Sequence, residues 1–312
     1  MEQTFNFNHT PVMLNECIEG LNIRPNGIYV DGTLGGAGHS SVIASKVVGG
    51  KLICIDKDSD ALKVAGERLS KFNNITFVKS DFKEFAQILE NLNIDKVDGV
   101  LLDLGVSSYQ LDTADRGFSY RFDGPLDMRM DKESDFSAYN VVNEYSINEL
   151  TTIIREYGEE QFARNIAKNI VIEREKAPIE TTAQLNEIVE RSIPRKLWGK
   201  GSVAKKTFQA IRIEVNNELR GLDKVLNDII DRLSKGGRLA VITFHSLEDR
   251  IVKNVFKDRS TGCICDRNLP ICVCGHVADV KLVNKKPIVA SDSELSVNKR
   301  SSSAKLRVVE KL

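Results

Sequence analysis

The sequence predicts an α/β fold: a doubly wound parallel sheet with a helical insert between its fourth and fifth strands. Three observations predict it. Short apolar runs alternate with helical stretches from Gly27 onward. The first, second and fourth of those runs each close on an aspartate: Asp31, Asp56 and Asp103. The alternation then stops over about 108–206 and resumes with a further apolar run at 238–244. Strands that alternate with helices give a parallel sheet covered on both faces, and a long helical interruption gives an insert.

Each element follows from local pattern. Ile28-Tyr29-Val30 is a buried strand ending at Asp31; a glycine-rich turn and a helix over 39–48 follow. A second strand over 52–55 ends at Asp56, and 59–69 is helical. A third strand over 75–78 leads to Ser80-Asp81-Phe82 and another helix, and a fourth over 97–102 ends at Asp103. The insert opens with the polar, turn-rich stretch 116–131. It continues with helices over 148–157, 159–174 and 182–191. One long helix is expected near 208–233, then a Gly236-Gly237 turn, a fifth strand over 238–244 and a helix over 247–256. Weaker strands fall at 280–283 and 305–309, and the serine-rich stretch 285–303 reads as a mobile loop. The domain expectation is one discontinuous α/β domain (1–110 with 207–312) and a helical insert (111–206).

Composition narrows the class. The chain has 312 residues, 41% hydrophobic and 28% charged, enough for a sizeable core and unlike a disordered chain. Lys and Arg number 44 and so do Asp and Glu, so any affinity for nucleic acid must be local. One such stretch exists: Arg191, Arg195, Lys196, Lys200, Lys205, Lys206 and Arg212 follow one another with no acid between. The N-terminus lacks a signal-peptide pattern and no apolar run approaches a membrane span. A cytoplasmic protein with six reduced cysteines, Cys17 and Cys54 among them in the core, is expected.

The sharpest motif is Asp31-Gly32-Thr33-Leu34-Gly35-Gly36-Ala37-Gly38-His39, at the passage from strand one to helix one. Glycines there let a ligand approach the backbone, which suits several nucleotide-like cofactors. Asp31 narrows the choice. It would repel a pyrophosphate, whereas S-adenosylmethionine carries a sulfonium and an ammonium that tolerate or want a carboxylate. Asp56 can accept both ribose hydroxyls, a feature shared with NAD enzymes. Asp81 and Phe82 put a polar group and an aromatic where an adenine would lie. Asp103, Ser107 and Ser108, in Leu101-Leu102-Asp103-Leu104-Gly105-Val106-Ser107-Ser108, can grip an acceptor amine during transfer. An ordinary helix cap is the competing reading of the two serines.

These residues resemble a known family. DGTLGGAGHS (31–40), LLDLGVSS (101–108), RGFSYRFDGPLDMRMD (116–131), KTFQAIRIEVNNEL (206–219) and ITFHSLEDRIVK (242–253) are similar to the RsmH (MraW) family of 16S rRNA cytosine-N4 methyltransferases. HTPVML (9–14) and the closing SSSAKLRVVE fit as well, so the likeness runs over nearly the whole chain. It implies a class I S-adenosylmethionine-dependent, Rossmann-like methyltransferase sheet with a helical insert (111–206) that serves as the RNA-recognition domain. The implied reaction is N4-methylation of cytosine 1402 in 16S rRNA, within the small ribosomal subunit. It implies cofactor contacts at Ala37, Gly38, His39, Asp56, Phe82, Asp103 and Gln110, to which the residues themselves add Asp31 and Gly35. Two departures stand out: Ala37 and Tyr109 replace a common glycine and a common proline. Backbone contacts at Ala37 survive if its φ is negative.

On the RNA side, Arg116, Arg121, Arg129 and the 191–212 stretch are candidates for phosphates, and Phe118, Tyr120, Phe122 and Trp198 for bases. Met128 and Met130 read as packing residues. His245 follows strand five and could hold the acceptor base, whereas Ser246 with Asp249 reads as a cap. Cys263, Cys265, Cys272 and Cys274 form two CxC pairs that could hold a structural zinc or sit reduced in a hairpin; no metal is assigned. No membrane partner is expected, and a homodimer is left open. The rival readings are an NAD(P)-dependent oxidoreductase, a non-catalytic ribosome assembly factor, and methylation of another amine such as DNA cytosine N4.

Overall fold

The structure, a computed structural model, describes residues 11–199, 201–263, 265, 269, 271 and 273–312. His9 and Thr10 of the opening motif, Lys200 of the basic stretch and Cys272 lie outside the described residues. In chain order the elements begin with α1 (Leu14–Leu21), β1 (Ile28–Asp31), α2 (Gly38–Lys46), β2 (Lys51–Asp56), α3 (Ser59–Arg68), β3 (Ile75–Lys79), α4 (Phe85–Asn91) and β4 (Val97–Asp103). Six helices follow: α5 (Ser108–Asp112), α6 (Ala138–Glu144), α7 (Ile147–Glu156), α8 (Ala163–Arg174), α9 (Thr182–Ser192) and α10 (Lys205–Asn216). The chain closes with α11 (Leu222–Asp231), β5 (Leu233–Thr243), α12 (Ser246–Ser260), β6 (Val280–Leu282), α13 (Asp292–Val297) and β7 (Lys305–Lys311). Two compact units form: the chain up to Gly105 with Arg220–Leu312, and Val106–Leu219.

The first unit is a seven-stranded sheet in the order β3-β2-β1-β4-β5-β7-β6. The pairs β1–β2, β1–β4, β2–β3 and β4–β5 are parallel, and β7 runs antiparallel to both β5 and β6. This is the Rossmann-like α/β sheet that the strand rhythm predicts. Strand side chains alternate between faces, so each strand feeds two cores. Val30, Ile53, Ile55, Leu102 and Val241 pack with Phe85 and Leu89 of α4, Leu226 of α11 and Val252 of α12. Tyr29, Leu52, Cys54, Leu101 and Ile242 pack with Cys17 of α1, Ile43 of α2 and Ala65 of α3. Helices on both faces leave only the strand ends open to a ligand. The strand order reverses between β1 and β4, and ligands of such sheets bind outside the carboxyl ends at that reversal.

The structure corrects several boundaries. The helix expected near 208–233 is two helices: Asn217, with φ 52°, closes α10, and Gly221, with φ 76°, opens α11. Gly236-Gly237 lie within β5, where the register against β4 shifts between Val97 and Gly99 and Gly236 takes φ 74°. The helix expected from 159 starts at Ala163, since Glu159 is left-handed (φ 48°). The stretch 285–303 holds α13 and a tight 3-10 turn with Ser301 buried. There the Glu294 carboxylate accepts the Met13 N–H at 2.9 Å and the Ser301 hydroxyl. Among the described residues no helix is long and apolar enough to cross a membrane.

The second unit has its own core, with Leu150 and Ile154 of α7, Ile166 and Ile170 of α8, Leu185 and Val189 of α9, and Phe208 and Ile211 of α10. Ser146 and Thr181 start α7 and α9 with reciprocal capping boxes to Glu149 and Gln184. Met128 and Met130 are buried as expected. Asn216 on α10 ties their loop down. Its side-chain oxygen accepts the Met130 N–H at 2.7 Å, and its amide donates to the carbonyls of Met128 (2.7 Å) and Arg212 (2.9 Å). Asn216→Ala strands these buried groups, so a loss of about 3 kcal/mol is expected. Urea unfolding followed by the fluorescence of Trp198, the only tryptophan, reads it within the same unit. A loss under about 0.5 kcal/mol would show that the loop is held by other contacts.

Candidate active site

Three buried or half-buried carboxylates stand at the carboxyl ends of β1, β2 and β4. Asp31, 1% exposed, organises the turn that follows it. One oxygen accepts the Thr33 N–H at 3.2 Å and the other accepts the Ser40 hydroxyl at 2.6 Å. Burial raises its pKa to about 6, against the lowering effect of those hydrogen bonds. Asp56 accepts the N–H of Gly35 at 2.8 Å on one oxygen and that of Asp58 at 2.9 Å on the other. Burial raises it to about 6 too. A carboxylate has about four acceptor positions, so Asp56 still has room for hydroxyl donors.

Asp103 differs from both. Its backbone N–H donates to Thr33 Oγ1 at 2.6 Å, which fixes the strand end. Its side chain is 25% exposed, yet Oδ1 itself is buried and has no hydrogen-bond partner among the described residues. Oδ2 lies 3.9 Å from His39 Nδ1. Burial first, then the nearby charges of Asp31 and Glu248, push its pKa to about 8. A native protein rarely leaves a buried carboxylate oxygen without a donor, and where it does a ligand commonly supplies one.

The glycine turn between β1 and α2 is held from several sides. Gly32 N–H donates to the Leu101 carbonyl (2.9 Å), Leu34 N–H to that of Ile55 (3.1 Å), and Arg68 to the Gly36 carbonyl (2.7 Å). Gly35 takes φ 47°, and a Cβ on Gly38 would sit 2.2 Å from Pro11 Cγ. His39 is buried, with Nε2 3.0 Å from the Val12 carbonyl. A carbonyl only accepts, so Nε2 carries the proton and Nδ1 presents its lone pair toward Asp103. Burial lowers the pKa of His39 to about 4, which keeps the ring neutral. Phe82 opens a short 3-10 turn whose cap is Asp81, which also lies 3.5 Å from Lys57.

Ala37 corrects an expectation. Its φ is 59°, in the left-handed region, and it is fully buried. That conformation costs about 1–2 kcal/mol for a residue with a Cβ. The buried methyl returns about 0.8 kcal/mol, and glycine's extra freedom when unfolded accounts for about as much again. Ala37→Gly is therefore expected to change stability by less than about 1 kcal/mol. Ala37→Val, branched at the strained position, is expected to cost at least about 2 kcal/mol. Equal melting temperatures for the alanine and valine proteins would refute this account.

So Asp31, Gly35, Ala37, Gly38, His39, Asp56, Phe82 and Asp103 share the first unit and its strand-end turns. Ser107, Ser108 and Gln110 belong to the second unit. Ser107 caps α5: its hydroxyl accepts the Gln110 N–H at 3.2 Å, and the Gln110 side chain accepts the Ser107 N–H at 3.0 Å. Thr33, Ser40 and Arg68 were not singled out from sequence. Only Thr33 and Ser40, inside the DGTLGGAGHS block, carried a signal that could have found them. The cap of α12 is His245 rather than Ser246. Glu248 lies 3.1 Å from His245 Nε2, and its carboxylate accepts the Phe244 N–H at 3.0 Å. Asp249 instead pairs with Arg307 at 2.7 Å.

Several residues proposed for RNA do structural work in the second unit. Arg116 is 3% exposed and donates to the carbonyls of Arg129 and Met130. Arg129 chelates Asp127 and reaches the Ser134 carbonyl, and Arg212 pairs with Glu218 through two hydrogen bonds. Phe118 is buried, and Tyr120 meets the Phe208 ring edge-on at 5.8 Å. Arg195, Lys196 and Lys205 are exposed, as are Phe122 (51%) and Trp198 (37%); the Arg195 guanidinium lies 5.9 Å from the Trp198 ring.

Comparison with known proteins gives the same direction throughout. "Ribosomal RNA small subunit methyltransferase H" of Clostridium botulinum (strain Loch Maree / Type A3) is 55% identical over 307 residues, 98% of this chain and 99% of that protein. The protein of that name from Clostridioides difficile (strain 630) is 54% identical over 309 residues, again 98% and 99%. The one from Finegoldia magna is 53% identical over 309 residues, 98% and 99%. The description "MraW methylase family" fits residues 6–312. With its strand-end carboxylates, its glycine turn and this match from end to end, the chain is a methyltransferase that belongs to the MraW methylase family.

Proposed function

We propose that the chain transfers a methyl group from S-adenosylmethionine to the exocyclic N4 amine of cytosine 1402 in 16S rRNA, in the cytoplasm. The single observation that carries the reading is the buried, unpartnered Oδ1 of Asp103 at the end of β4, beside the glycine turn. The relatives' name specifies small-subunit rRNA, and the full-length likeness extends that substrate class to this chain.

The residues fit the cofactor. Asp56 has acceptor positions left for ribose hydroxyls, Phe82 offers an apolar wall, and the turn at 35–38 offers close backbone approach. The cofactor, once bound, supplies a methyl group on a positively charged sulfur. The chain's part is to orient and to accept. A cytosine N4 lone pair is delocalised into the ring, so the amine must be gripped by acceptors as it becomes tetrahedral. Asp103 offers one oxygen with no competing donor. Neutral His39, fixed by Val12, keeps a lone pair facing the same carboxylate and adds no positive charge. In the second unit, Arg195 and Lys196 suit phosphates, and Trp198 and Phe122 suit unstacked bases.

The test is transfer of labelled methyl to small ribosomal subunits lacking this modification, followed by mapping of the label. Label on N4 of cytosine 1402 is expected. Label at another base would displace the assigned position. No transfer to subunits or to naked RNA would sink the reading.

A further inference from the structure

We propose that Cys263, Cys265 and Cys274 bind a zinc ion as thiolates, and that this ion orders the loop between α12 and β6. The site lies apart from the strand-end carboxylates and serves structure rather than transfer. Its first support is geometric. The three sulfur atoms lie within 4.8 Å of one another, and the Cys263 and Cys274 sulfurs are 3.9 Å apart. Two sulfurs held at about 2.3 Å by one tetrahedral zinc stand about 3.8 Å apart. A disulfide would need about 2.05 Å.

The backbone around the sulfurs supplies a second, independent observation. The Val273 N–H points at Cys265 Sγ and the His276 N–H at Cys274 Sγ, each at 3.4 Å. Donors aimed at sulfur favour the thiolate that a metal needs. Gly275, with φ 62°, makes the turn that brings the His276 N–H back to the sulfur two residues earlier. An L side chain at that position would be strained, so the turn is specified by the sequence Cys274-Gly275-His276.

Among its described residues the loop has few other contacts that would order it. Its base is closed by Arg259, which donates to Asp279 at 2.9 Å, and by the Asp279 N–H to the Arg259 carbonyl at 3.1 Å. His276 Nε2 adds a contact with the Asp258 carbonyl at 3.0 Å. Beyond that base, Ile271, Val273 and Val277 are 73%, 78% and 76% exposed, and no described residue from 261 to 279 is in a helix or strand. A loop this long without a core of its own is ordered by a crosslink or not at all. The two CxC pairs are each tighter than ordinary zinc spacing, but the loop brings sulfurs from both together, which sequence spacing alone does not reveal. Binding displaces a proton from each thiol to solvent and transfers no electron.

The full-length protein, purified under reducing conditions without chelator, is expected to hold about one zinc per chain. Removal of the zinc and titration with cobalt(II) should give a thiolate-to-cobalt charge-transfer band, whose intensity counts the sulfur ligands. Cys263→Ser and Cys274→Ser should each lose the zinc and weaken the band, with the helical circular dichroism unchanged. Cys17→Ala, remote in the core, should keep both. Absence of zinc together with no charge-transfer band in the wild-type chain would overturn the proposal, even if the serine variants fail to fold. So would zinc retained at full stoichiometry by both serine variants, or a mass two hydrogens lighter from a Cys263–Cys274 disulfide in place of metal.

Discussion

Asp103→Ala is expected to lower the rate of methyl transfer about a hundred- to a thousandfold while the protein stays folded. The two halves of that expectation have separate causes. The Oδ1 atom accepts from no donor among the described residues, so truncation leaves no donor stranded at that oxygen. The strand end itself is held through the Asp103 backbone N–H and Thr33, which the substitution does not touch. Removing a carboxylate whose ionisation is opposed by burial, Asp31 and Glu248 does not weaken the folded state above pH 4. What is lost is an acceptor of fixed position. Asp103→Asn separates shape from charge: it keeps the volume and one carbonyl oxygen but cannot carry a negative charge. If the asparagine protein transfers nearly as fast as wild type, a neutral acceptor suffices and the negative charge of Asp103 is not required. If the alanine protein stays within tenfold of wild type, the amine is gripped elsewhere. The melting temperature of each variant, with and without S-adenosylhomocysteine, distinguishes a lost acceptor from a lost cofactor.

The sheet was legible because its signals are local. Each inner strand is a run of apolar residues that fills both cores, and α11 carries a clear apolar stripe. Short helices were not: α5, at Ser108–Asp112, and α6, at Ala138–Glu144, are too brief for a period to emerge from the pattern. The break at Asn217 was invisible for another reason. Nothing in an asparagine announces a left-handed φ until tertiary packing selects it. Arg116, Arg129 and Phe118 show the limit on the functional side. A basic, aromatic stretch reads as an RNA surface, yet these three spend their groups on backbone carbonyls, on Asp127 and on a core. A charge count gives the supply of cations and not how many are already engaged. The candidate cofactor residues around β1, β2 and β4 were nameable from sequence because a parallel sheet delivers its strand ends to one edge. That Oδ1 of Asp103 is left without a donor while each oxygen of Asp31 already accepts one could only come from coordinates.

The same burial predicts a pH dependence of opposite sign for the free and the cofactor-bound protein. Asp31, Asp56 and Asp103 have folded-state pKa values raised to about 6, about 6 and about 8. A raised carboxylate favours the folded state fully below its unfolded value near 4, and that contribution is lost as pH rises through the folded value. The melting temperature of the free protein is therefore expected to fall from about pH 4 to about pH 8, the part above about pH 6 belonging to Asp103. His39, lowered to about 4, acts on the other side: its contribution is complete above about pH 6.5 and is lost as pH falls toward 4. A cofactor bearing sulfonium and ammonium charges favours ionised carboxylates, so its binding must displace protons in the same window. If ionised Asp103 is the form that binds, affinity for S-adenosylmethionine rises by up to about tenfold per pH unit until about pH 8. Calorimetric titration in buffers of different ionisation enthalpy should show protons released at pH 7, and Asp103→Asn should abolish the part of the dependence above pH 7. A wild-type affinity flat from pH 6 to pH 8, with no proton release, would mean that Asp103 is already ionised in the free protein and that burial is not what tunes it.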